Sequence, residues 1–223
     1  MEILHADEAI IVVDKPAGLP VLPEGWEPRA PCLVSMLEEQ FKEDAPAAGR
    51  ALWTVHRLDK NTSGVMVFAR TAEAHRDLNR QFERRQAVKI YHAILEGLPG
   101  WDEVRARQPL RVDVGHRHRT AVDARRGKPS ETRFRVLRRF AAHALVEAQL
   151  TTGRTHQVRA HACALGVPVL GDVLYGAARS DLIGRPALHA YRLTITNPVT
   201  GEEQTYTAPY PADLQLALSR LGG

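Results

Sequence analysis

His56-Arg57-Leu58-Asp59-Lys60-Asn61-Thr62-Ser63-Gly64-Val65-Met66-Val67-Phe68-Ala69-Arg70 sets one carboxylate between basic neighbours and a Thr-Ser-Gly turn, with an apolar run behind it. Residues 65–69 have the length and unbroken hydrophobicity of a buried strand. A charged side chain at the mouth of such a strand costs free energy unless it is paired, so Asp59 is the first candidate for chemistry. The ordinary alternative is a turn aspartate that accepts backbone hydrogen bonds.

Around this segment, 223 residues suffice for one large domain or two small ones with a proper core. Composition is that of a soluble globular protein, 44% hydrophobic and 25% charged. The opening residues 1–7 lack a basic stretch followed by an apolar one, and no apolar run is long enough for a membrane span. Cys32 and Cys163 lack metal-type spacing and read as buried small hydrophobes in a reducing compartment. A cytoplasmic protein with no membrane association is the expectation.

The formal net charge is only +4, but between Arg105 and Arg139 twelve Lys or Arg face three acids, leaving the remainder net acidic. Lysine occurs at five positions, so twenty-five of the thirty basic residues are arginine. That ratio fits a coding bias, whereas the clustering fits a polyanionic partner held through the planar guanidinium fork.

Periodicity and punctuation predict strands over 9–14, 65–69, 89–95, 143–149, 188–196 and 204–208. Helices are expected over about 32–41, from an N-cap at Thr71 to about 85, over 155–165 with Gly166 just beyond, and from Pro211 to about 221. Residues 19–31 read as a loop and 44–50 as a connection. On the strand from Lys89, alternation puts Lys89, Tyr91, Ala93 and Leu95 on one face. Over 132–136, Arg133 and Arg135 share the face opposite the apolar residues. Many hairpin-like strands with few helices argue for an α+β fold, a largely antiparallel mixed sheet with flanking helices. No composition break divides the chain, so residues 1–223 are expected to form a single domain.

The pattern H-R-L-D-x-x-T-S-G ahead of an apolar strand resembles the central motif of the RluA-type pseudouridine synthases, which places the family's catalytic Asp at Asp59. Further segments resemble the same family in the same order. Leu150-Thr151-Thr152-Gly153-Arg154-Thr155-His156-Gln157-Val158-Arg159-Ala160-His161 is similar to its G-R-T-H-Q-[IV]-R-x-H motif, which implies that Arg154 pairs with Asp59. Lys89-Ile90-Tyr91-His92-Ala93 is similar to its K-x-Y-x-A strand, which implies that Tyr91 lies against the target base. Asp14-Lys15-Pro16-Ala17-Gly18-Leu19, Gly171-Asp172-Val173-Leu174-Tyr175-Gly176 and the closing segment Asn197-Pro198-Val199-Thr200-Gly201-Glu202 add to the likeness, which spans roughly residues 10–210. Leu22 and Val167 depart from it, each where a His is frequent, and both bear on RNA contacts rather than chemistry.

The resemblance implies a single pseudouridine synthase-like catalytic domain over residues 1–223, without a separate N-terminal RNA-binding domain, that isomerises uridine to pseudouridine in structured RNA, ribosomal or transfer. Asp59 would attack the ribose C1′ or assist loss of the 2′ proton; the sequence does not choose. A guanidinium beside it would keep it ionised, and the Tyr91 ring would stack on a flipped base or relay a proton. Arg57 would help fill the vacated space, with Lys89, Arg133, Arg135 and Arg159 as further RNA-contact candidates. Gln157, Arg159 and His161 read equally as structural. Neither a phosphate-binding loop nor a dinucleotide fingerprint occurs, and no cofactor is expected. His116-Arg117-His118 with His143 or His161 has flanking arginines that repel a cation, so no metal site is expected. No protein partner is implied, and a monomer is anticipated. One rival is an RNA-binding protein without catalysis, which predicts an altered Asp59, Tyr91 or Arg154. A nucleoside hydrolase is the other, and it predicts a metal-binding Asp cluster.

Overall fold

The apolar run behind Asp59 forms the inner part of a strand, Ser63–Ala69, whose seven residues are all buried. The computed structural model describes residues 1–23, 31–42, 52–115 and 119–222. They pack as two units: Met1–Val88 with Ala190–Pro209, and Lys89–His189 with Tyr210–Gly223. The fold is α+β, a mixed sheet with flanking helices.

In the first unit the order along the chain is β1 (Glu2–Ala6), β2 (Ile10–Lys15), α1 (Leu33–Gln40), β3 (Trp53–Thr54), β4 (Ser63–Ala69) and α2 (Ala72–Glu83). It also takes most of β11 (Leu188–Thr196) and all of β12 (Glu203–Thr207). Strand order is β1-β2-β4-β11, with β12 antiparallel to β11 and β3 antiparallel to β4. The β2–β4 register runs from Ile10 opposite Ala69 to Lys15 opposite Gly64. Thr71 caps α2 as expected, its hydroxyl accepting from the Ala74 N–H. That helix lays Ala74 and Leu78 onto Ile10, Val12, Val65 and Val67 of the sheet.

The glycine of the Thr-Ser-Gly turn is required twice over. Gly64 has φ +117°, and a Cβ there would overlap the backbone of Ala190. Only a residue without a side chain lets β4 approach β11 at this point.

The second unit contains β5 (Val88–Glu96, all but its first residue), β6 (Glu103–Ala106), β7 (Leu110–Val114), β8 (Arg119–Val122), β9 (Thr132–Arg139) and β10 (His143–Leu150). Helices α3 (Gln157–Ala164) and α4 (Ala212–Gly222) complete it, with a 3-10 turn at Val173–Tyr175. Strands run β5-β10-β9-β6, each pair antiparallel, while β7 and β8 pair with each other as a separate ribbon. Phe134, Val146, Ala148, Val158, Ala162, Leu214 and Ala217 join one core that seats α3 and α4. No described helix is long and apolar enough to cross a membrane.

Most expected elements are present. Helix α3 begins two residues later than expected because His156 adopts a left-handed backbone, φ 54° and ψ 22°, which a helix interior forbids. Gly166 follows the helix with φ 79°, as a C′ glycine should. Strands β1 and β3 were not anticipated: one is a half-polar edge and the other only two residues long. Cys32 is buried, but Cys163 is exposed rather than buried, and both are free thiols. The connection 44–50 and most of the loop 19–31 lie outside the described residues.

A polar cluster closes the first unit. Asp7 Oδ1 accepts from the Ala9 and Ile10 N–H groups, both at 2.8 Å. Its Oδ2 takes the Asn197 amide and lies against the His5 ring, both at 2.9 Å. Burial opposes the charge, but these hydrogen bonds outweigh it and hold the Asp7 carboxyl down at about 2, against an ordinary 3.8. A carboxyl with a lowered folded-state value adds stability above its unfolded value and loses it as pH falls toward the folded one. The expected outcome is that Asp7→Asn weakens the protein at neutral pH and flattens the fall in urea midpoint between about pH 4 and pH 2. An unchanged acid limb would refute the assignment.

Candidate active site

Asp59 is half-buried in the turn between β3 and β4, where the Thr62 N–H donates to its backbone carbonyl at 3.0 Å. What fixes this turn is a lysine at the end of β2. Lys15 is fully buried, and its ammonium donates to the carbonyls of Pro16 (2.8 Å), Leu19 (2.8 Å) and Lys60 (3.0 Å). Three N–H donors meet three carbonyl acceptors, which makes the burial of a charge tolerable. The Gly18 N–H reaches the same Lys60 carbonyl at 2.8 Å. The Lys-Pro-x-Gly loop and the residue after Asp59 are thus clasped together. Upstream, the His56 Nε2 accepts from the Val67 N–H at 3.1 Å and its ring stacks on Phe82. Leu58 is buried and Arg57 exposed, so the turn offers the Arg57 and Lys60 side chains to solvent while Leu58 anchors it.

In the second unit, Lys89 and Tyr91 lie two residues apart on β5, opposite Leu150 and Ala148 of β10. Directly after Leu150 comes the turn bearing Arg154. A side chain added at Gly153 would stand 3.7 Å from the Lys89 ammonium, so the lysine head lies beside this turn. The pairing of β5 with β10 therefore gathers Lys89, Tyr91 and the Arg154 turn at one end of the sheet.

Gln157 supports the turn from within. Its Oε1 accepts from the Arg154 N–H (3.0 Å) and the Thr152 hydroxyl (2.7 Å), and its Nε2 donates to the Glu131 carbonyl and the Thr132 hydroxyl. The Arg154 Nε is buried without a hydrogen-bond partner among the described residues, and one terminal nitrogen lies 3.5 Å from the Pro129 carbonyl. A donor left in that condition is poised for a ligand rather than committed to structure.

A family model described as RNA pseudouridylate synthase matches residues 9–164. The chain belongs to the RNA pseudouridylate synthase family. A ribosomal large subunit pseudouridine synthase D of Neisseria meningitidis is 39% identical over 99% of this chain and 61% of its own length. An uncharacterised RNA pseudouridine synthase of Chloroflexus aurantiacus is 41% identical over 93% of this chain and 65% of its own. The chain thus spans less than two thirds of these relatives. Among solved structures, human RNA pseudouridylate synthase domain containing 4 superposes with TM-score 0.80 at 29% identity, covering 99% of this chain and 92% of the human one.

In this family member several RNA-contact candidates are engaged internally. Arg159, only 8% exposed, forks onto Asp172 at 2.6 and 2.9 Å, which is the structural alternative that the sequence leaves open. His161 is fully buried with one ring nitrogen on the Thr132 hydroxyl and the other on the Gln108 carbonyl, which removes it as a metal ligand. Burial pushes its pKa down despite that carbonyl. His116, Arg117 and His118 lie outside the described residues. Arg133 forks onto Glu103 at 2.7 and 2.6 Å, and Arg135 reaches Glu147 at 3.2 Å. Arg105 and Arg107 flank Glu131, Arg111 faces Asp123, and Arg139 pairs with Asp102. Two of these partners, Asp102 and Glu103, lie just before the basic segment in sequence, and Glu147 lies beyond it. Among the described residues, Arg119, Arg125, Arg126 and Lys128 make no ion pair.

Lys15 was not singled out for the site. Its signal is a lysine closing an apolar run, Ile10 to Val13, where a charge has no cheap place to go. Replacing it with methionine keeps the volume, strands the Pro16 and Leu19 carbonyls and leaves the Lys60 carbonyl with the Gly18 N–H alone. Lys15→Met is expected to destabilise the protein by about 3 kcal/mol or more, read as a lower urea midpoint. A midpoint equal to that of the parent would show the ammonium to be dispensable.

Proposed function

We propose that this chain isomerises uridine to pseudouridine in structured RNA, acting in the cytoplasm, with both units serving one catalytic domain. Ribosomal RNA is the favoured substrate because the relatives named for their activity are ribosomal large subunit enzymes. The observation that carries the reading is the family match over 70% of the chain, residues 9–164 of 223, with Asp59, Tyr91 and Arg154 all in place within it.

In this reading the target nucleotide leaves its stack and presents its sugar to Asp59. Either the carboxylate attacks C1′, displacing the uracil at N1, or it takes the 2′ proton as the N1–C1′ bond breaks. The uracil anion delocalises its charge, so no second carboxylic acid is needed to protonate the leaving group. The base turns and C5 bonds to C1′, which breaks the Asp59–C1′ bond on the first path and returns the proton to C2′ on the second; the C5 proton is then lost while N1 gains one. Nothing is added or removed overall, and no cofactor enters the balance. Arg154 acts as counter-ion to Asp59, and Tyr91 stacks on the base or accepts the C5 proton. Arg57 fills the vacated stack, and Lys89 meets a phosphate near the site.

The unpaired cations Arg119, Arg125, Arg126 and Lys128 are proposed as the main grip on RNA phosphates. Arg133 and Arg135 contribute only where a phosphate displaces Glu103 or Glu147. Their prior engagement makes them weaker candidates than the ribbon and the turn that follows it.

Two measurements test this. Asp59→Asn is expected to abolish pseudouridine formation on unmodified ribosomal RNA while RNA affinity stays within about threefold. A variant that still isomerises at a comparable rate would overturn the role of Asp59. Separately, Arg119→Ala with Arg125→Ala is expected to weaken binding and reduce the slope of log affinity against log salt by about 1 to 2. An unaltered slope would move the phosphate grip elsewhere.

A further inference from the structure

Among the described residues, Leu110 of the β7–β8 ribbon bridges to Lys128, and Thr120 attaches the ribbon to the turn that carries Arg154. Thr120, only 2% exposed, faces inward from β8 while its neighbour Arg119 faces solvent, as strand alternation requires. The Thr120 hydroxyl donates to the Thr155 carbonyl at 2.8 Å, and its N–H donates to the Tyr175 phenol at 2.7 Å. That phenol also meets His156 Nδ1 at 3.0 Å. Leu110 of β7 packs with Ala160 of α3 and with Tyr175, which completes the attachment.

The hydrogen inventory orients this junction. The phenol oxygen accepts from the Thr120 N–H, so its own proton is available to the imidazole. Burial pushes the Tyr175 phenol up from its ordinary value, so it stays protonated across the neutral range. Where the phenol donates to the ring, His156 Nδ1 is the acceptor and the ring proton sits on Nε2. His156 also holds a left-handed backbone without being glycine, a conformation that persists only when neighbours over-determine it. Gln157 pins the first half of the turn to Glu131 and Thr132; Tyr175 and Thr120 pin the second half to the ribbon. Tyr175 is itself held, with the Arg159 guanidinium 5.0 Å from its ring centre and Asp172 locking Arg159.

We propose that Tyr175 is a positioning residue: through His156 and Thr120 its phenol ties the basic ribbon to the Arg154 turn, so that the ribbon's grip on RNA sets the placement of Arg154. This rests on the reading of Arg154 and the ribbon given under Proposed function. The coupling runs over two side chains and one backbone amide, all buried or half-buried. A ribbon displaced by a bound phosphate backbone therefore moves Thr155 and His156 with it, the two residues that follow Arg154.

Tyr175→Phe removes the hydroxyl and keeps the ring, its packing on Leu110 and Ala160, and the Arg159 contact. On in vitro transcribed, unmodified large-subunit ribosomal RNA, it is expected to lower kcat about tenfold or more with KM within about threefold. A second comparison separates coupling from simple weakening. Arg119→Ala in the parent protein is expected to raise KM and lower kcat, whereas in the Tyr175→Phe background it raises KM alone. Should Tyr175→Phe fail to fold, His156→Asn decides in its place. Asparagine tolerates the left-handed backbone but does not reach the phenol, and the same selective loss of kcat is expected. The proposal is overturned if kcat in the folded variant stays within about twofold of the parent, or if the two substitutions multiply independently in kcat. A parent protein that makes no pseudouridine on this RNA would instead overturn the reading beneath it.

Discussion

A buried ammonium, that of Lys15, is the constraint on which the Asp59 turn depends. An ion withdrawn from water is stable only with its hydrogen-bonding capacity met in place. Three carbonyls from Pro16, Leu19 and Lys60 do this, and two chain segments forty-five residues apart in sequence are thereby joined. The clasp cannot loosen by degrees, because a lost partner leaves both a carbonyl and a charge unsatisfied. The catalytic role proposed for Asp59 would need that kind of support, since misplacement of a reacting group by an ångström costs orders of magnitude in rate.

The same logic recurs on α3. Gln157, Arg159 and His161 are buried polar residues on an eight-residue helix, and each has hydrogen-bond partners in strands or loops outside it. The Arg154 turn inherits its geometry from these contacts rather than from local backbone preference. Left-handed His156 is the residue where that imposed geometry is most visible.

Charge follows a different rule. The segment from Arg105 to Arg139 is strongly basic by count, yet half of its cations meet carboxylates contributed by neighbouring strands and turns. Strand β6 pairs with β9, which sets Glu103 opposite Arg135 and next to the Arg133 fork, while β10 sets Glu147 opposite Arg135. Among the described residues of the segment, pairing leaves Arg119, Arg125, Arg126 and Lys128 of the ribbon and the turn after it without a carboxylate, together with Arg138, which reaches the Gly222 carbonyl. The stretch of unneutralised charge is thereby narrower than the composition suggests.

By itself the sequence determined most of the element types and the contiguous motifs that mark the candidate site. Continuous apolar runs, helical spacing and capping residues such as Thr71 act over a few positions, so strands β2, β4, β5, β10 and β11 and all four helices were legible. The motifs around Asp59, Tyr91 and Arg154 were legible for the same reason, being contiguous. Only the tertiary structure decided which polar residues are committed to internal partners. Arg159 meets Asp172, Arg133 meets Glu103, and Lys15 meets the carbonyl of Lys60. Partners this far apart are brought together by strand pairing and loop closure, and the free energy of burying a charge depends on that partner, which no local pattern encodes.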